Sequence, residues 1–66
     1  MNIVVLDYST GTINKIHGIP DNYSDFEIES VLNQEFHLSN CSWMRINDYN
    51  IYHYNYRNNK LIYEGV

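Results

Sequence analysis

One cysteine, one proline and three glycines leave this 66-residue chain with few of the devices that stiffen a small protein. Cys41 stands alone, so no internal disulfide can form. A chain this short buries only about 60% of the surface its unfolded form exposes. Its usual supports are disulfides, a metal or another subunit, and of these association is the one the residues favour. Four Lys and Arg against eight Asp and Glu are too few cations to cluster around phosphates, which argues against ordinary nucleic-acid binding. No run of about 18 apolar residues is present to cross a membrane. No secretory signal is found either, and the expected location is the cytoplasm.

What the chain does have is one stretch of helical periodicity, SDFEIESVLNQEF over 24–36. Ile28, Val31, Leu32 and Phe36 fall on one stripe of a 3.6-residue helix, and Asp25, Glu27 and Glu29 lie off it. Ser24 and Glu27 have capping-box spacing, Tyr23 is placed to staple onto Ile28, and the early acids suit the positive end of the helix dipole. Between Ile16 and Met44 there are five acids and no Lys or Arg, so the helix side is negative.

The rest reads as short strands and turns. MNIVVLDY, 1–8, carries four successive apolar residues and therefore presents apolar groups on both faces, as an interior strand does. Gly11 can take the positive φ of a tight turn into a second strand, 12–17, in a hairpin of open register. GIPDN, 18–22, breaks the ladder before the helix. Asn40 is the expected left-handed exit residue after it. A third strand, 41–46, a turn over 47–50, a fourth strand, 51–56, a turn over 57–60 and a fifth strand, 61–65, complete the chain as a three-stranded meander. A two-residue loop at Asn58-Asn59 pairs Tyr56 with Leu61, Tyr54 with Tyr63, and His53 with Glu64. The expected fold is one α+β domain over 1–66, ββαβββ, with one helix on a mostly antiparallel sheet of about five strands. Its first strand can pair beside a C-terminal one.

In that meander one face gathers Trp43, Arg45, Tyr52, Tyr54, Tyr56 and Tyr63. Tyrosine suits a surface that is sometimes wet and sometimes buried, and an exposed patch of this kind marks an interface. The competing arrangement makes the same face the core under the helix and turns Met44, Ile46 and Ile51 outward. We take the interface as the expectation. Stacked aromatics on a sheet also suit single-stranded nucleic acid, yet only Arg45, Arg57 and Lys60 lie near, and nucleic acid is not expected.

No catalytic or cofactor set emerges. His37 and Cys41 would meet as metal ligands only on a continued helix, and zinc needs about four ligands. Cys41 lacks the cationic setting of a reactive thiol. Two stretches, IVVLDYSTGT and HLSNCSWM, resemble those of short uncharacterised bacterial proteins, some carried on mobile elements. The resemblance covers about a quarter of the chain and implies a small soluble cytoplasmic protein with no activity attached. The expectation is therefore a non-enzymatic module, without cofactor, metal or small-molecule substrate, that self-associates or binds a protein through the aromatic face. The alternative is a small acidic inhibitor whose negative helix occupies a basic surface of a partner protein.

Overall fold

The computed structural model describes residues 1–47 and 51–65. Its order is β1 (Asn2–Asp7), β2 (Thr12–Ile16), α1 (Asp25–Leu32), a short 3-10 turn (Leu38–Asn40), β3 (Cys41–Ile46), β4 (His53–Arg57) and β5 (Lys60–Gly65). The class is α+β, with one helix and five strands paired antiparallel, but the strands form two sheets rather than one.

The first sheet has the order β2-β1-β3, so the strand with apolar groups on both faces is the central one. Ile3 pairs with Ile16 and Arg45, and Val5 pairs with Asn14 and Trp43. Because strand side chains alternate, these residues share the face beneath the helix. Val4, Leu6, Ile13, Met44 and Ile46 share the other. The β1–β2 connection is a four-residue loop, 8–11. Gly11 closes it at φ +67°, its N–H donating to the Asp7 carbonyl at 2.8 Å. That register settles the hairpin's faces: Ile16 lies under the helix and Ile13 on the open side.

The helix starts as the sequence indicates. The Glu27 N–H donates to Ser24 Oγ at 3.3 Å and the Ser24 N–H to Glu27 Oε1 at 3.1 Å, completing the capping box. It ends earlier than expected, at Leu32. Beyond it the chain tightens, with the Gln34 N–H bonding the Val31 carbonyl and the Glu35 N–H that of Leu32, each at 3.1 Å. This still returns Phe36 to the core. Asn40 is not the left-handed exit. It ends the 3-10 turn, and among the described residues only Asn58 and Asn59 are non-glycines with positive φ.

Among the described residues Ile3, Val5, Ile19, Ile28 and Leu32 are the buried side chains, a small core between α1 and the first sheet. Tyr23, Val31, Phe36, Leu38 and Trp43 pack around it. The expected meander is not formed. β3 pairs with β1 instead of β4, and β4–β5 stands as a separate two-stranded hairpin. Three residues of the turn expected over 47–50 lie outside the described residues. The chain measures 44 × 25 × 14 Å. Its radius of gyration, 14.6 Å, exceeds the value of about 11 Å that compact packing gives at this length. Among the described residues no helix is long and apolar enough to cross a membrane.

Candidate interaction surface

The C-terminal hairpin is built by its turn. Asn58 and Asn59 take φ of 54° and 63°, the paired left-handed conformation of a two-residue type I′ loop, which asparagine tolerates better than most residues. That loop sets the register as expected for Tyr56 with Leu61 and Tyr54 with Tyr63. At the open end the register slips between His53 and Tyr54, so His53 faces Gly65 and not Glu64.

Tyr54, Tyr56, Leu61 and Tyr63 consequently occupy one face. The Tyr63 ring lies 5.5 Å from Tyr54 and 5.9 Å from Tyr52, centroid to centroid, both tilted. Such contacts are favourable aromatic geometry. The Tyr56 hydroxyl donates to Asn59 Oδ1 at 3.2 Å, tying the face to its own turn. None of these rings is buried: Tyr54 is 59% exposed and Tyr56 67%. The opposite face carries Asn55, Ile62 and, at the tip, Arg57 directly across from Lys60.

Trp43 and Arg45 do not join this face, and the six-residue surface expected from the sequence divides. With β3 paired to β1, Trp43 turns under the helix and packs against the core. Arg45 lies over it, its guanidinium 5.6 Å from the indole centroid, and bridges to Asp25 at the start of the helix. Both side chains serve to seat α1 on the sheet. Met44 and Ile46, expected beneath the helix in the interface arrangement, lie on the uncovered side of the sheet instead. There Met44 is 59% exposed and Ile13 66%.

Three of the five acids on the helix side have partners within the chain. Asp25 holds Arg45, Glu27 closes the capping box, and Asp21 lies 2.8 Å from the Met1 ammonium. That ammonium holds the Asp21 carboxyl below its ordinary pKa. Asp7 is lowered likewise, because Ser9 donates to its carboxylate from Oγ at 2.6 Å and from the backbone at 3.0 Å.

Cys41 is half-buried at the start of β3, opposite Asp7. Burial raises its thiol pKa, and the Asp7 carboxylate raises it further. It therefore stays protonated at neutral pH and is a poor nucleophile. His37 precedes the 3-10 turn and Cys41 follows it. Among the described residues no three His, Cys, Asp or Glu side chains gather closely enough to hold a metal ion. An open groove of about 770 Å³ runs between β2 and the end of the helix. Ile16, Val31, Leu32 and Phe36 line it, with Lys15 and Glu35 as its titratable groups.

No protein-family model, curated protein or solved structure matches this chain.

Proposed function

We propose that this chain is a non-enzymatic protein–protein interaction module acting in the cytoplasm, and that its binding surface is the tyrosine face of the C-terminal hairpin. One observation carries the reading: Tyr54, Tyr56, Leu61 and Tyr63 on the hairpin, and Tyr52 just before it, are each more than half exposed, and among the described residues the hairpin contributes no buried side chain. A two-stranded hairpin by itself is marginally stable in water. Aromatic rings with polar tips are what interface centres are enriched in, because they bring large apolar area with little rotamer entropy to lose. The raised Cys41 thiol and the sparse titratable lining of the groove support a non-enzymatic role. An acidic inhibitor has less to rest on, since Asp21, Asp25 and Glu27 already have partners within the chain.

Amide hydrogen exchange along 53–65 tests this reading. In dilute solution those amides should exchange far faster than the β1 amides, and they should gain protection when the chain associates. The double substitution Tyr54→Ser, Tyr63→Ser should abolish the gain while leaving β1 protected. Hairpin amides as protected as β1 in a dilute monomer would mean that the chain covers its own tyrosines, and the proposal would fail.

A further inference from the structure

Among the described residues the tyrosine face of the hairpin is one exposed apolar surface. A second is the open face of the β2-β1-β3 sheet, where Val4, Leu6, Ile13, Met44 and Ile46 share one side with Asn2, Lys15 and Ser42. β1 is paired on both edges, yet only its Ile3 and Val5 side is covered. A central strand apolar on both faces belongs to a sheet covered on both sides.

Building on the interaction reading above, we propose that the tyrosine face seats on this open sheet face in a second copy of the chain, the two copies exchanging hairpins about a two-fold axis. Three quantities fit that occupant. The chain exposes 5227 Å². That is about 800 Å² more than a compact monomer of its mass shows, and a standard interface takes about 800 Å² from each partner. β4 and β5, five and six residues long, match the five and six residues of the strands they would cover. Sheets packed face to face sit about 10 Å apart with interdigitated side chains, a gap that tyrosine, leucine and methionine side chains fill. The 44 Å long axis and the exposure of Ile13 and Met44 place the hairpin off its own sheet. One two-fold operation covers both hairpins and both sheets and leaves no open end from which a filament could grow.

The test is mass in solution by light scattering, over a dilution series, for the wild-type chain and for Tyr54→Ser, Ile13→Glu and Met44→Glu. Ile13 and Met44 are exposed in the single chain, so thermal melts at low concentration should show that both variants fold; either one alone suffices if the other does not. The wild type should be a dimer that dissociates on dilution. Each variant should weaken it by about tenfold or more, as truncating or charging the centre of an interface does. An equimolar mixture of Tyr54→Ser with Ile13→Glu should associate more tightly than either alone. In the mixed dimer both lesions fall on one contact, where losses do not add, and the other contact is intact.

Unchanged dimerisation of both Ile13→Glu and Met44→Glu would overturn the open face as the seat and point to hairpin against hairpin. A mixture no tighter than its components would overturn the exchange. A wild-type monomer with unprotected hairpin amides would overturn the second copy and leave the interaction module standing. A monomer with protected hairpin amides would overturn both.

Discussion

Leu32→Ala probes whether α1 is seated as described, because its neighbour Val31 supplies an internal comparison on the same turn. Leu32 is 1% exposed and belongs to a core of five side chains, whereas Val31 is half-buried and lines the open groove beside β2. Truncating a buried leucine costs about 2 to 5 kcal/mol, the upper part of that range arising where the cavity cannot collapse. Leu32 lies beside Ile28 on the buried side of α1, and we expect about 3 kcal/mol. Val31 already borders solvent, so its truncation removes less buried surface and opens no closed cavity; about 1 kcal/mol is expected. At about 0.05 to 0.15 kcal/mol per residue, a chain of 66 residues has about 3 to 10 kcal/mol in all. Leu32→Ala should thus remove a third or more of the stability, lowering Tm by about 12 to 24 °C for a domain this size. Urea denaturation followed by far-UV circular dichroism measures both variants, with an unchanged m-value as the condition for comparing midpoints. If Val31→Ala proved as costly as Leu32→Ala, or Leu32→Ala cost under about 1 kcal/mol, the helix would have to be rotated on the sheet.

Two further outcomes follow from the local geometry. Ser24→Ala removes the acceptor for the Glu27 N–H and one half of the capping box, and should lower stability by about 1 kcal/mol; an unmoved urea midpoint would refute that role. Asp7 has a folded pKa below its unfolded value because Ser9 bonds its ionised form. Its contribution is therefore full above the unfolded carboxylate pKa of about 3.9 and is lost as pH falls through the lower folded value. Asp7→Asn should flatten the acid limb of a stability-against-pH curve, and an identical limb in the variant would remove Asp7 as its source.

The features that reached the fold directly from sequence are the local ones. Ser24, Glu27 and the stripe of Ile28 and Leu32 mark the helix start and its buried side because capping and periodicity act within a few residues. Asn58-Asn59 marks a two-residue turn and thereby the Tyr54–Tyr63 register. The helix end was less legible. Phe36 continues the apolar stripe, but it reaches the core from a tightened turn after Leu32, an arrangement with the same sequence pattern as one more helical turn. Ile19, in a segment whose composition signals only a break, is 5% exposed, and nothing local distinguishes a buried loop isoleucine from an exposed one.

The surface was half legible, and the reason lies in a choice of partner for β3. Pairing β3 with β4 closes a short loop, whereas pairing it with β1 closes one of more than thirty residues. The added loop entropy is modest, about 0.6 kcal/mol per doubling of length. Against it stands the burial that each pairing offers. β1 is apolar on both faces and gains neighbours on both edges only if β3 joins it. Trp43 opposite Val5 then widens the floor beneath the helix, and Arg45 comes within reach of Asp25. β4 offers β3 no comparable burial, since tyrosines fill one of its faces and His53, Asn55 and Arg57 the other. The side of β3 with Trp43 thus goes to the core and Met44 to the open face, while the tyrosines of the hairpin are left exposed. An aromatic on a strand signals that it will be covered; which element covers it depends on pairings that are distant in sequence. In this chain Trp43 packs beneath the helix, whereas Tyr54 and Tyr63, on strands that pair only with each other among the described residues, stay more than half exposed.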